Sequence, residues 1–92
     1  MNKLYLAQIE TSGYNVNGCG ETPLSAVEQL EISWNKYKSD LMYSIEELVE
    51  NNGLTVTELK ANTNWLEGNA PIYYGGYDLQ EFKKGESKWT HR

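Results

Sequence analysis

From Lys3 to Glu10 the chain alternates, with Tyr5, Ala7 and Ile9 on one side of an extended backbone and Leu4 and Leu6 on the other. Apolar groups on both sides suit a strand inside a sheet. Thr11-Ser12-Gly13 supplies a turn, and Tyr14 to Glu21 continues with Tyr14 and Val16 on one side, which predicts an antiparallel hairpin. Asn17-Gly18 is a rival turn signal, but a turn there would leave almost no second strand.

The period changes at Thr22-Pro23. A threonine hydroxyl can accept from an orphan amide, and proline at the first helical position lacks the N–H that would go unpaired. Leu24, Val27, Leu30, Trp34, Tyr37 and Leu41 then recur every three or four residues and predict one apolar stripe facing a sheet. The same phase runs on through Ile45 and Leu48, so an unbroken helix from Pro23 to Glu50 would reach about 42 Å at ~1.5 Å per residue. That length is large for a 92-residue domain. Ser44-Ile45-Glu46-Glu47 has the spacing of a capping box, with Tyr43 placed to staple onto Leu48. A break or kink near Ser39 to Ser44 is therefore expected, followed by a short second helix ended at Asn51-Asn52-Gly53.

Leu54 to Lys60 is rich in Thr and Val and reads as a third strand, although Thr55-Val56-Thr57-Glu58 also has capping-box spacing. Asn62 to Pro71 reads as a polar loop carrying Trp65 and Leu66. Ile72 to Phe82 is expected to form a fourth strand or a tight hairpin at Gly75-Gly76, with Tyr73 and Tyr77 on one face and Tyr74 on the other. The expected fold is α+β in the order ββααββ: an antiparallel sheet of three to four strands against one main helix and a short second one.

Charge divides this body from its end. Residues 1–82 hold twelve of the thirteen carboxylates and four of the eight basic side chains, whereas 83–92 hold the other four bases and only Glu86. The expected organisation is a single acidic domain over 1–82 and a basic C-terminal tail over 83–92. The opening residues lack the unbroken apolar run and small-residue cleavage site of a leader, and the lone Cys19 cannot form an internal disulfide. Both observations fit a cytoplasmic protein without a membrane span.

Catalytic chemistry finds little support. The one histidine, His91, stands next to the C-terminus, far from any shell that would hold it near a nucleophile. Cys19 lies between Gly18 and Gly20 with no neighbouring base to activate it, so a small enzyme using Cys19 is the least favoured function. One His and one Cys rule out the common structural zinc sets, no Asp-rich loop resembles a calcium site, and no cofactor is expected. Gly18-x-Gly20 leads from a strand into a helix as phosphate-cradling turns do, but it lacks a third glycine and a Lys-Ser or Lys-Thr pair. A turn that needs small residues is the better account. Tyr73, Tyr74 and Tyr77 could stack bases, yet an acidic body repels phosphates, and direct nucleic-acid binding is not expected.

Recognition of a protein remains. On the helical segment Ile32 and Tyr43 point away from the apolar stripe, at angles shared with Glu28, Glu46, Glu47 and Glu50. Those six residues form the expected partner-binding patch, suited to a partner with a basic surface such as a nuclease. The plainer account is that Ile32 packs under a loop or against a second copy in a homodimer, while the acids keep the protein soluble at a net charge of −5.

Gly18-Cys-Gly-Glu-Thr-Pro-Leu-Ser-Ala-Val-Glu-Gln-Leu30 resembles the strand-to-helix corner of HicB-like antitoxins, where a glycine-rich strand end and a threonine cap introduce an Ala- and Leu-bearing helix. That resemblance implies a regulator paired with a toxin. The same corner occurs in double-stranded RNA-binding domains, whose basic helix start is missing here. In character (short, acidic, rich in Asn and Tyr) the chain is similar to small bacteriophage accessory proteins, including anti-CRISPR and other anti-defence inhibitors. This likeness implies a non-enzymatic inhibitor that occupies a nuclease's nucleic-acid groove with carboxylates.

Overall fold

The opening alternation becomes strand β1, Leu4–Glu10, and the hairpin partner β2 spans Asn15–Gly20. In the computed structural model, which describes residues 3–37, 43–59 and 72–85, the turn lies at Ser12-Gly13. Thr11 N–H donates to the Tyr14 carbonyl at 2.9 Å, and the Thr11 hydroxyl donates to the same oxygen at 2.7 Å. Ile9 then faces Val16, Ala7 faces Gly18 and Tyr5 faces Gly20, which puts the apolar side of both strands on one surface.

Helix α1, Pro23–Tyr37, starts where Thr-Pro predicts. The Thr22 hydroxyl accepts from Ser25 N–H at 3.0 Å, and Ser25 Oγ accepts from Thr22 N–H at 3.0 Å, a reciprocal cap in which serine takes the place of the usual glutamate. The buried side of α1 is Pro23, Ala26, Val27, Leu30 and Trp34. Two members of the expected stripe are not part of it: Leu24 is 36% exposed and Tyr37 69% exposed. For Leu24 the physical reason is glycine. With Gly18 and Gly20 beneath it, α1 settles so low on β2 that its contact line passes through small Ala26, and Leu24 turns outward. Tyr37 shares the angle of the buried face but is the last residue of α1 and stays exposed there. Leu41 lies outside the described residues.

The long-helix alternative is excluded by the backbone of Ser44, which is extended at φ −70° and ψ 164° and caps a separate helix α2, Ile45–Asn52. The capping box forms as the spacing predicts: Ser44 Oγ accepts from Glu47 N–H at 3.2 Å, and Glu47 Oε1 accepts from Ser44 N–H at 3.0 Å. Gly53 ends the helix at φ +89°, a conformation that side chains rarely adopt. Strand β3, Leu54–Leu59, follows at once and pairs antiparallel with β1.

Strand β4, Ile72–Gly76, completes an antiparallel sheet in the order β2-β1-β3-β4. The expectation for Ile72 to Phe82 needs two corrections. The strand stops at Gly76, and Leu79–Lys84 forms a third helix, α3, so the order is ββααββα. Asp78 caps it by accepting from Glu81 N–H at 3.0 Å, and Leu79 and Phe82, three residues apart, are both buried. The tyrosine faces also differ. A bulge shifts the β3–β4 register between Val56 and Thr57, and Tyr73 and Tyr74 both join the core side: Tyr73 meets Tyr5 edge-on at 5.5 Å, and Tyr74 meets Phe82 at 4.9 Å. Tyr77 is exposed beyond the strand.

All three helices contribute to one core over the sheet, through Leu30 and Trp34 of α1, Leu48 and Val49 of α2, and Phe82 of α3. Lys83 of α3 bonds Glu31 of α1 at 3.3 Å across the helix layer. The folded elements thus carry on past residue 82, through Lys84, while 86–92 lie outside the described residues. Trp65, Leu66, Trp89 and His91 lie outside them as well. No helix among the described residues is long and apolar enough to cross a membrane.

Candidate functional site

The six residues expected to meet a partner are all exposed. Glu28 and Ile32 stand one turn apart on the outward side of α1, where Ile32 leaves 49% of its surface in water. Glu46, Glu47 and Glu50 occupy the outward side of α2, with Ile45, Leu48 and Val49 turned to the core. Tyr43, 58% exposed, precedes the cap. Its carbonyl accepts from Trp34 Nε1–H at 2.9 Å, a bond that ties the start of α2 to the end of α1.

The helical phase that would align Ile32 with Tyr43 is interrupted, because Tyr43 and Ser44 are not helical. Among the described residues no hydrogen bond or ion pair joins the α1 group to the α2 group. They lie on consecutive helices, with one carboxylate, Glu28, beside Ile32 on α1 and three, Glu46, Glu47 and Glu50, on α2. Glu47 is committed to the Ser44 cap through Oε1. Glu28, Glu46 and Glu50 have no ion-pair partner among the described residues, so their charge projects into solvent. Tyr43 also lines a cleft of about 290 Å³ with Thr11, Ser12, Tyr14, Leu48 and the Asn51-Asn52 pair.

The glycine motif resolves into packing. A Cβ on Gly18 would stand 2.5 Å from the Ala26 carbonyl oxygen and 2.8 Å from Leu30 Cα, and one on Gly20 would meet Ser25 Oγ and lie 2.6 Å from Ala26 N. Both glycines are covered by α1 and present no open cradle for a phosphate. Cys19, between them, faces the opposite side of the sheet and is exposed. Among the described residues no group of three His, Cys, Asp or Glu side chains converges as metal ligands would.

Three features escaped the sequence analysis. The first is a groove of about 320 Å³ between the edge of β2 and the second half of α1, lined by Tyr14, Asn15, Val16, Asn17, Ser33, Trp34 and Tyr37. Its wall is aromatic: Tyr14 stacks on Trp34 at 5.7 Å with planes 7° apart, and Trp34 meets Tyr37 at 5.8 Å. Tyr14 and Trp34 are twenty residues apart, so only the packing of α1 on the hairpin makes the wall, and no local spacing announces it. The second is Glu58, buried opposite Tyr5 on the helix-covered side of the sheet. The third is Tyr74, whose hydroxyl donates to the Asp78 carbonyl at 3.1 Å. Burial, together with the nearby Glu81 carboxylate, pushes its phenol above the usual range.

Comparison with known proteins gives no relative from which a role could be carried over: no family model, no curated protein and no solved structure matches the chain.

Proposed function

We propose that this protein is a non-enzymatic binding protein that acts by occupying a basic, nucleic-acid-handling surface of a partner protein, as anti-defence inhibitors of bacteriophages do. One observation carries the reading: Glu28, Glu46 and Glu50 point into solvent from two consecutive helices without ion-pair partners among the described residues, with Ile32 and Tyr43 exposed beside them. Unneutralised carboxylates next to apolar side chains make a surface that a basic partner recognises by charge and then desolvates at its centre. A net charge of −5 strengthens the attraction at long range and makes it sensitive to salt. The protein itself needs no cofactor for this work.

The alternative, a HicB-like antitoxin, would need a toxin partner encoded beside it. The test of the inhibitor reading is charge reversal. Changing Glu28, Glu46 and Glu50 to Lys should weaken the complex with a partner isolated from the native host by about a hundredfold or more at low salt, at roughly 1 kcal/mol per rim charge, and the loss should shrink as salt is raised. Equal affinity of the reversed and parent proteins at all salt concentrations would overturn the reading.

A further inference from the structure

The edges of the sheet are not alike. β4 carries a bulge, a device that breaks the regular pairing pattern of an edge. β2, Asn15-Val-Asn-Gly-Cys-Gly20, carries no bulge in its pairing with β1, no proline and no charged side chain, and no described element lies beyond it. Its backbone is oriented for pairing. The Thr11 N–H to Tyr14 carbonyl bond makes Thr11 and Tyr14 a hydrogen-bonded pair, and pair types alternate along an antiparallel ladder. Val16, Gly18 and Gly20 therefore direct their N–H and C=O groups at β1, while Asn15, Asn17 and Cys19 direct theirs outward. All three of the latter are exposed.

We propose that the β2 edge is a peptide-binding site that takes an extended, basic segment of a partner protein as a fifth strand. The strand's main chain would bond Asn15, Asn17 and Cys19, and alternate side chains would enter the groove whose accessible rings are Tyr14 and Tyr37, with buried Trp34 holding both. A lysine or arginine fits that wall best. Its aliphatic stem and cation would cover the exposed ring surface of Tyr14 and Tyr37, and the net charge of −5 favours it over an acidic or neutral competitor. Lys36, next to Tyr37 in sequence, does not line the groove.

A second copy of this chain is the obvious rival occupant, and α1 opposes it. Antiparallel pairing of two β2 strands places both α1 helices on the same side of the joined sheet. The contacts under Gly18 and Gly20 show that α1 lies directly over β2. Two such strands would be ~4.8 Å apart, whereas packed helix axes need ~8–10 Å. A strand with no helix above it has no such conflict. This site stands on the sheet edge and does not depend on the carboxylates of α1 and α2.

Amide hydrogen exchange on the full chain supplies the first test: Asn15, Asn17 and Cys19 should exchange rapidly, and Val16, Gly18 and Gly20 slowly. Selection from a display library of random dodecapeptides supplies the second. The enriched peptides should carry Lys or Arg at alternate positions and should protect the three outward amides when bound. Asn17→Pro removes one outward donor without touching the β1 ladder and should weaken binding about tenfold, as should Tyr37→Ala. Slow exchange of the outward amides in dilute free protein would overturn the proposal. So would protection that grows with protein concentration alone, the mark of a second copy. Failure to enrich any peptide, or enriched peptides that leave those amides unprotected, would do the same without reliance on a variant.

Discussion

At the scale of single residues, the decisive positions are those where a side chain is missing. Gly18 and Gly20 let α1 descend until its backbone touches β2, and that depth sets which residues of the helix become core. Gly18→Ala should therefore destabilise the fold by ~2–3 kcal/mol, since the obstructing atoms are backbone and cannot rotate away. Gly13→Ala, with nothing within 4 Å of the added methyl, should stay within ~0.5 kcal/mol of the parent. Urea unfolding of the two variants checks the pair, and equal midpoints would contradict the close approach. Periodicity showed Val27, Leu30 and Trp34 correctly because they are large and apolar. It could not show that Ala26 outranks Leu24, because depth of approach depends on glycines in a different element.

At the scale of elements, the sequence was legible wherever a start or stop signal is local. The Thr-Pro start of α1, the Ser44 capping box, the Gly53 stop and the Ser12-Gly13 turn all form where their residues stand. At the β4–α3 corner Tyr-Tyr-Gly-Gly-Tyr masks the change of period, although Asp78 and Glu81 have cap spacing. A bulge is a property of two paired strands, so the shared face of Tyr73 and Tyr74 had no signal in either strand alone. This corner makes a pH-dependent contribution to stability. The Tyr74 phenol is raised in the folded state, so the folded protein holds that proton more tightly than the unfolded chain does. The contribution is complete below the ordinary tyrosine value of about 10 and is lost as pH rises from there through the folded value. Tyr74→Phe should cost ~1 kcal/mol at pH 7 through the lost bond to Asp78, and should flatten the decline in stability above about pH 10. Parallel stability–pH curves for parent and variant would contradict this.

At the scale of the whole molecule, charge and fold point the same way. A sheet covered on one side by three helices keeps its apolar groups inside and leaves carboxylates on the outward sides of α1 and α2. The exposure of Glu28, Ile32, Tyr43, Glu46, Glu47 and Glu50 follows from where the core stripe lies. Their division between two helices follows from the Ser44 capping box, which marks the break; the relative orientation of the two outward sides does not, because no single helical period relates them. The aromatic groove was likewise hidden, since Tyr14 and Trp34 meet only after the hairpin and helix have packed.

The proposed inhibition requires the carboxylates of α1 and α2 to displace nucleic acid from a partner. A competition measurement tests it: the isolated partner is loaded with its fluorescent nucleic acid, and this protein is titrated in while anisotropy is followed. Nucleic acid should be released stoichiometrically at low salt, and the Glu28→Lys, Glu46→Lys, Glu50→Lys protein should release little. A stable ternary complex, with the protein bound and the nucleic acid retained, would contradict it.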